Sequence, residues 1–454
     1  MSDTVASAPA KSKVSSPLLT IVIASLTLFS MFFGAGNLIF PPMVGVSSGT
    51  NFWPAIIGFL IAGVLLPVAA IVAVAISGYS VRDLAARGGV FFGVIFSVMA
   101  YLSIGAFYAL PRTGAVAMET AVTPLVGWEG TAANGIFNLI FFGIALALSW
   151  KKNSVIDVLG RFLTPALVIL LIALICLAIF NYERLPGAPT EEYSSTPMVT
   201  GLFEGYNTMD AIAGLAFGIV IIGSLRAKGF GSGGTLVRST VLTGVIAGVL
   251  LAGIYLGLGY MAQTVPNGQS YESGAALLAD SANLTMGTPG QTIFSLIVIL
   301  ACLTTAVGLI SATSAFFNTL VPKLSYHVWA IIFTVLSIAI AFRGLDAVMA
   351  VAVPFIVFLY PPAITLIVLT LVQPLVRKVV GFYWTYRLAL WTSVIWSALT
   401  TIAAQGWGTN ILEPVLNLSP GQDLDLGWIT PTFIVIIIGV VIDIATKNAR
   451  REAA

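Results

Sequence analysis

The chain has 454 residues, of which 58% are hydrophobic and only 8% are charged, and its formal net charge is +2. Its mean hydropathy of +1.02 places it outside the range of soluble globular domains, which excludes soluble enzymes and soluble nucleic-acid-binding proteins. Runs of about 20 apolar residues recur along the chain, and each is long enough to cross a bilayer as a helix. The composition therefore predicts an all-α polytopic membrane protein.

Twelve such runs, each predicted to be a transmembrane helix, account for most of the chain. They lie near residues 18–40, 53–77, 91–111, 134–150, 162–180, 206–225, 239–262, 292–320, 328–342, 347–372, 388–405 and 428–446. With both termini inside, seventeen of the 20 Lys and Arg residues face the cytoplasm, and only Arg112, Arg184 and Arg343 lie outside. Because basic residues concentrate on the cytoplasmic side, we predict that the tail 1–16 and the C-terminus are cytoplasmic.

The first run is interrupted by Phe33-Gly34-Ala35-Gly36-Asn37 and is expected to close at Pro41-Pro42. Glycine weakens a helix and proline lacks an amide donor, so the helix should break here and leave backbone groups free. In hydrocarbon such groups are tolerated only where protein, water or a ligand satisfies them. We therefore predict that residues 34–37 line a substrate site, with the substrate carboxylate on the amides of Gly34, Ala35 and Gly36. A cation would bind nearby carbonyls and the side-chain oxygen of Asn37. The alternative is that the glycines only allow close helix packing.

The sixth run contains a second polar, glycine-interrupted segment, Glu204-Gly205-Tyr206-Asn207-Thr208-Met209-Asp210. Asp210 lies inside the run, and an ionisable residue there indicates a function such as binding a cation, a substrate ammonium or a proton. We assign Asp210, with Thr208, to the substrate site. The alternative for Asp210 is a structural cap on the exposed amides of a helix end.

The two interrupted runs stand at corresponding positions in two halves of five runs each. The halves are predicted to span residues 17–180 and 200–375, and two additional helices follow within 385–446. Because five is odd, the second half crosses the membrane in the opposite sense to the first. Paired interruptions in such a five-plus-five inverted repeat indicate a transporter with its substrate site at discontinuous helices 1 and 6.

Two further polar sets lie in or beside runs three and eight. Run eight contains Ala301-Cys302-Leu303-Thr304-Thr305, whose hydroxyls and carbonyls suit a hard cation, although membrane threonines also bond to the preceding turn of their own helix. Arg112 and Glu119 are seven residues apart and so share a helix face. We predict that they form a gate pair at the outer vestibule or, alternatively, a plain interfacial salt bridge.

Several of these segments together resemble the bacterial branched-chain amino acid:cation symporters. The matching segments are Phe32-Phe33-Gly34-Ala35-Gly36-Asn37-Leu38-Ile39-Phe40-Pro41-Pro42, Pro111-Arg112-Thr113, Glu204-Gly205-Tyr206 with Thr208-Met209-Asp210-Ala211, and Leu303-Thr304-Thr305. The resemblance covers nearly the whole chain. It implies uptake of leucine, isoleucine and valine across a bacterial inner membrane, coupled to sodium or, alternatively, to protons.

The broken first run also resembles the leucine-transporter fold, whose architecture is a five-plus-five inverted repeat. By this resemblance one sodium site would be formed by three backbone carbonyls and two hydroxyls, those of Ser30, Phe33, Ala301, Thr304 and Thr305. Asn37 would belong to a second sodium site. The resemblance thus implies a cation site and a substrate site that share the broken first helix.

From these observations we predict a sodium-coupled secondary active importer of branched-chain amino acids that works by alternating access. No P-loop motif for ATP occurs, so an ion gradient would have to drive transport. The expected partners are the amino-acid substrate and membrane lipid, with no nucleic acid and no obligatory protein partner. A passive channel or an exporter would have the same hydropathy. An enzyme is not expected, because the chain offers one embedded acid and a single histidine.

Overall fold

A computed structural model describes residues 16–77, 80–151, 159–184, 186–271 and 273–446. Within these ranges the chain forms helices and no β-strand, in agreement with the predicted all-α class. The helices, numbered in chain order, are α1 Pro17–Phe32, α2 Ala35–Ser48, α3 Phe52–Leu60, α4 Leu66–Ser77, α5 Val81–Ala85, α6 Val90–Leu102, α7 Ala109–Ala117, α8 Thr123–Val126, α9 Thr131–Ser149, α10 Thr164–Asn181, α11 Glu191–Ser195, α12 Pro197–Asn207, α13 Asp210–Ala227, α14 Gly234–Ala262, α15 Gly274–Met286, α16 Thr288–Leu320, α17 Tyr326–Ala341, α18 Leu345–Val376, α19 Trp384–Ala404, α20 Thr409–Leu416 and α21 Ile429–Ala445. The predicted cytoplasmic tail up to residue 15 and the chain end after residue 446 lie outside the described ranges.

Nine helical segments of the described chain are long and apolar enough to cross a membrane. They are Ala35–Ser77, Val90–Val126, Thr131–Ser149, Arg161–Asn181, Asp210–Ala227, Gly234–Ala262, Thr288–Leu320, Pro354–Val376 and Trp384–Ala404. Three shorter apolar helices, α1, α17 and α21, accompany them. Each of the twelve predicted runs overlaps at least one of these helices. The chain is therefore a multi-pass membrane protein.

The first run consists of two helices, α1 and α2, that are separated only by Phe33 and Gly34. The predicted interruption is thus present but shorter than the glycine pattern suggested. The predicted closure at the two prolines is wrong, because α2 continues to Ser48 with Pro41 and Pro42 inside it. Close packing on α14 accompanies this continuation, since a Cβ at Gly45 would collide with the backbone of Gly259.

The third run also extends beyond its predicted end at residue 111. Helical structure extends from Val90 to Val126 and includes two π-helical turns, Ser103–Phe107 and Met118–Val122. The backbone kinks at Gly105, whose φ of −85° and ψ of −112° are not helical. Arg112 therefore lies inside the bundle on α7 and not in an outer loop, because backbone carbonyls of another helix accept its hydrogen bonds.

The sixth run is broken into α12 and α13 by Thr208 and Met209. Met209 has a φ of +65°, in the left-handed region that residues other than glycine seldom adopt. Close packing fixes α12 on α3, because a Cβ at Gly201 would collide with the backbone of Ala55. The end of α12 and the start of α13 are thus held inside the bundle, next to the break between α1 and α2.

Candidate functional site

Four half-helix ends meet at the two breaks. α1 and α12 end there, and the carbonyls of their last turns carry partial negative charge, whereas α2 and α13 begin there, and the amides of their first turns carry partial positive charge. A hydrogen-bonded network ties the two breaks together: Asn37 Nδ2 donates to Asp210 Oδ2 at 2.6 Å and also to the Tyr255 hydroxyl. Tyr255 Oη in turn donates to Asp210 Oδ2 at 3.2 Å. All three side chains are buried.

The same asparagine caps the start of α2. Its Oδ1 accepts a hydrogen bond from the Gly34 amide at 3.1 Å. Of the three amides that the sequence assigned to a substrate carboxylate, that of Gly34 therefore has a partner within the protein. Ala35 and Gly36 lie in the first turn of α2, where amides have no carbonyl of a preceding turn to bond.

The other residues assigned from the sixth run lie at the start of α13. Thr208 Oγ1 donates to the Gly205 carbonyl at 2.8 Å and accepts from the Asp210 amide at 3.3 Å. Asp210 occupies the first position of α13, and its carboxylate bonds Asn37 and Tyr255 across the break. The carboxylate thus joins two broken helices as well as lying in the first turn of its own.

The predicted cation ligands converge between α1 and α16. The hydroxyls of Thr304 and Thr305 each lie 3.1 Å from the Ser30 carbonyl, and Thr304 Oγ1 lies 3.0 Å from the Ala301 carbonyl. Phe33 is the residue that follows α1, at the break beside this cluster. Hydroxyl and carbonyl oxygens at a helix C-terminus are ligands that suit a hard cation. Among the described residues no group of three or more His, Cys, Asp or Glu side chains could hold a metal ion.

There is no room for a side chain at Gly34. A Cβ built on Gly34 would lie 2.6 Å from Thr305 Oγ1 and 3.0 Å from Thr305 Cβ and Cγ2. Threonine is β-branched and stiff at χ1, so it cannot move away without a rotamer change. The break in the first run and the hydroxyl pair of α16 are therefore in direct contact.

Arg112 reaches the end of α12 from α7. Its Nη1 donates to the Asn207 carbonyl at 3.1 Å, and its Nη2 donates to the Thr208 carbonyl at 3.2 Å. Nη1 also donates to the Tyr108 hydroxyl, and the guanidinium lies 4.4 Å from the Tyr108 ring centroid. A positive charge at the C-terminal end of a helix is stabilised by the helix dipole.

Glu119, the predicted gate partner of Arg112, has different surroundings. Its Oε1 accepts a hydrogen bond from the Leu345 amide at 3.1 Å, at the start of α18. Glu119 lies at the start of the π-helical turn Met118–Val122, whereas Arg112 lies in α7. Arg112 thus bonds carbonyls at the end of α12, whereas Glu119 bonds the start of α18.

A small cavity lies between the two breaks. Its walls include Arg112, Asp210 and Thr305, together with an apolar set made of Met31, Phe32, Ala213, Phe217 and Leu309. Its volume is about 20 Å³, which is enough for about one water molecule. This cavity is too small for an amino acid, and we call the site in this state the contracted site.

Two larger cavities flank this site. One, of about 330 Å³, is lined by Arg82, Ala216 and Ser311 and so lies towards the predicted cytoplasmic side. The other, of about 220 Å³, is lined by Tyr206, Tyr360 and residues of the chain after α20, on the predicted outer side. The ring centroids of Tyr206 and Tyr360 are 4.5 Å apart, and those of Phe32 and Phe217 are 5.5 Å apart. The first of these ring pairs lines the outer cavity, and the second lines the small cavity between the breaks.

Two tyrosines of the site do not follow from the sequence pattern. Tyr255 lies in run seven, and Tyr108 precedes Arg112 by one helical turn. A buried tyrosine hydroxyl needs a partner, so a tyrosine inside a span was the available signal for both.

The whole chain is similar to known transport proteins. Residues 18–446 match the family described as "Branched-chain amino acid transport protein". The branched-chain amino acid permease BrnQ of Corynebacterium glutamicum is 50% identical over 434 residues, which cover 96% of this chain and 97% of that protein. The permease BraB of Bacillus subtilis is 36% identical over 433 residues, which cover 95% and 97%.

Solved structures show the same fold at low sequence identity. Mhp1, a nucleobase-cation-symport-1 family transporter in a closed conformation with bromovinylhydantoin bound, gives a TM-score of 0.59 at 14% identity and covers 95% of this chain and 93% of its own. A Na⁺-coupled sialic acid symporter gives 0.57 at 14% identity, with coverage of 93% and 89%. The chain therefore belongs to the branched-chain amino acid transport protein family and is a transporter, not an enzyme.

Proposed function

We propose that this protein imports leucine, isoleucine and valine together with sodium by alternating access. The observation that carries the proposal is the meeting of two broken helices at one buried site, with a hydroxyl and carbonyl cluster beside it. The names of the relatives support the substrate class, since both are called branched-chain amino acid permeases.

The half-helix ends match the charges of an amino-acid zwitterion. The substrate carboxylate would bind the first-turn amides of Ala35 and Gly36, and the ammonium would bind the carbonyls of Asn207 and Thr208 at the end of α12. The apolar wall of the cavity, which includes Phe217 and its neighbours, would take the side chain. Such a pocket separates substrates that differ by one methylene by only about 1–3 kcal/mol, so the three amino acids should compete.

Sodium would bind where the Thr304 and Thr305 hydroxyls meet the Ser30 carbonyl. An ion there would join α1 to α16, and Gly34 contacts Thr305 directly. Sodium and substrate would therefore organise the same break, and each would raise the affinity for the other by the same factor. Asn37 bonds Gly34, Asp210 and Tyr255, so a second sodium at Asn37 would have to replace some of these bonds.

A proton is the alternative coupling ion, and one observation favours it. Asp210 is buried at the break of the sixth run, where its carboxylate accepts hydrogen bonds from Asn37 and Tyr255. Intramembrane acids commonly serve as proton relays in transporters. Protonation of Asp210 would weaken the link between the two breaks.

Cavities on both sides of the contracted site support alternating access. The inner cavity begins about one helical turn beyond the site, because Ala213 and Phe217 line the site and Ala216 and Val220 line the cavity. We further propose that the chain crosses a bacterial inner membrane twelve times, with both termini cytoplasmic. The repeat would comprise 17–180 and 200–375, followed by two helices in 385–446.

Uptake of radiolabelled isoleucine into proteoliposomes tests the coupling. Three conditions are compared at clamped membrane potential: an inward sodium gradient, an inward proton gradient, and neither, with protein-free liposomes as the control. Accumulation above equilibrium with the sodium gradient alone is the expected result. Accumulation with the proton gradient alone would favour the alternative. Equilibration without accumulation in every condition would instead identify a passive channel and contradict the proposal.

A further inference from the structure

The carbonyls proposed for the substrate ammonium already have a cationic partner within the chain. Arg112 donates to the Asn207 carbonyl through Nη1 at 3.1 Å and to the Thr208 carbonyl through Nη2 at 3.2 Å. These oxygens stand at the C-terminal end of α12, where the partial negative charge favours a cation. A guanidinium and an ammonium are both multiple N–H donors with one positive charge, so they compete for the same acceptors.

The guanidinium also fills the space that a ligand would need. A Cβ on Gly36 would lie 2.8 Å from Arg112 Nη2 and 3.0 Å from Cζ, so the guanidinium rests on the first turn of α2. The remaining cavity has a volume of about 20 Å³, which is enough for roughly one water molecule. An amino acid therefore cannot enter while Arg112 keeps this position.

The bonding of Arg112 in this position is incomplete. Its side chain is only 5% exposed, yet its Nε is buried with no hydrogen-bond partner among the described residues. A buried donor without a partner has lost its hydrogen bond to water and gained none in return, which is unfavourable. This cost lowers the free energy needed to displace the guanidinium from the two carbonyls.

We propose that Arg112 is a tethered occupant of the ammonium subsite, which the substrate must displace in order to bind. The inference rests on the proposed function, because it presumes an amino-acid substrate whose ammonium binds at the end of α12. The hold of Arg112 on the two carbonyls reduces the fraction of the protein that is ready to bind. The apparent dissociation constant for substrate rises in inverse proportion to that fraction.

Equilibrium binding of radiolabelled leucine to the purified protein at one fixed sodium concentration tests the proposal. Arg112→Ala removes the cation from the subsite, and we expect it to lower the dissociation constant for leucine by at least about tenfold. Guanidinium ion at low-millimolar concentration should then compete with leucine in Arg112→Ala but not in the wild type. Choline chloride controls for ionic strength, and Arg343→Ala, which removes an exposed arginine, is the matched variant.

Two results would overturn the proposal. If leucine binding to Arg112→Ala is weaker than to the wild type and guanidinium restores it, Arg112 assists binding and does not compete with the substrate. If neither the substitution nor guanidinium changes the dissociation constant, the guanidinium does not occupy the subsite.

A second variant decides the matter if Arg112→Ala does not fold. Tyr108→Phe keeps the ring beside Arg112 but removes the hydroxyl, which accepts from Nη1 and itself donates to the Asn207 carbonyl at 3.3 Å. We expect it to loosen the guanidinium and lower the dissociation constant for leucine about threefold. Tyr182→Phe is the control, because the Tyr182 hydroxyl donates to the Leu284 carbonyl at a distance from the site. An unchanged or raised dissociation constant in Tyr108→Phe would contradict the proposal.

The outcome can be separated from that of the proposed function. If the wild type binds no leucine at any sodium concentration, the proposed substrate is wrong. If the wild type binds leucine and transports it but the Arg112 and Tyr108 variants do not tighten binding, only the displacement of Arg112 is wrong.

Discussion

Glycine is required at position 34 because a larger side chain would collide with Thr305. The Gly34 φ of −127° is extended backbone that any residue adopts, but a Cβ would lie 2.6 Å from Thr305 Oγ1. The first break and the cation cluster of α16 therefore depend on the absence of one methyl group.

Gly34→Ala should reduce sodium-driven uptake of isoleucine at least about tenfold, because the new methyl group pushes Thr305 out of the cation cluster. Gly143→Ala is the matched control, since nothing lies within 4 Å of a Cβ at that position in α9. Initial uptake rates in proteoliposomes, normalised to reconstituted protein, measure the effect. Equal rates for the two variants would show that the contact between Gly34 and Thr305 is unimportant.

The two threonines of α16 are expected to bind the coupling ion. Thr304→Val with Thr305→Val removes both hydroxyls near the Ser30 carbonyl and approximately keeps their volume. The sodium concentration for half-maximal uptake should rise at least about tenfold, because two ligands are lost. Thr292→Val is the control, since the Thr292 hydroxyl bonds its own helix at an exposed position. An unchanged sodium dependence in the double variant would place the ion elsewhere.

At the scale of elements, Asp210 links the two broken helices. It stands at the start of α13, and its carboxylate accepts from Asn37 of α2 and from Tyr255 of α14. We expect Asp210→Asn to reduce coupled uptake at least about tenfold, because a neutral amide replaces the charged acceptor of two hydrogen bonds and accepts them more weakly. Tyr255→Phe removes one of the bonds and should reduce uptake about threefold. Normal uptake by Asp210→Asn, measured at matched expression, would leave Asp210 with only a structural role at the helix end.

The sequence identified both breaks, because glycine and polar residues within an apolar run are local signals. It did not predict the extent of α2 through Pro41 and Pro42, since that helix is maintained by contact with α14. The sequence predicts that Arg112 lies outside, because it follows the end of the third run, whereas carbonyls at the end of α12 stabilise it inside the bundle. Contacts between distant segments thus decided what local patterns could not.

The partners of some site residues could be predicted from the sequence, and those of others could not. Thr304 and Thr305 could be assigned with Ser30 because the family resemblance carries the partner across 274 residues of separation. The network of Asn37, Asp210 and Tyr255 could not be derived, since no spacing in the sequence relates α2 to α14.

At the scale of the whole molecule, the inner cavity of about 330 Å³ offers a test of access. Ala315 lines this cavity and is partly exposed, so Ala315→Cys should react with a membrane-impermeant thiol reagent applied from the cytoplasmic side. The parent is Cys176→Ser, which keeps only the buried Cys302 and should remain unlabelled. Sodium should slow the labelling several-fold if it favours closure of the inner side. Labelling that is insensitive to both sodium and leucine would contradict alternating access through this cavity.

The binding of leucine as a function of sodium concentration tests most directly whether the two broken helices form one site for substrate and ion. The affinity for leucine should increase with sodium, and the affinity for sodium should increase with leucine by the same factor, about 5-fold or more. Thr304→Val with Thr305→Val should abolish this mutual dependence while leaving some leucine binding. A leucine affinity that is identical in sodium and in choline, at every concentration tested, would contradict a shared sodium and substrate site.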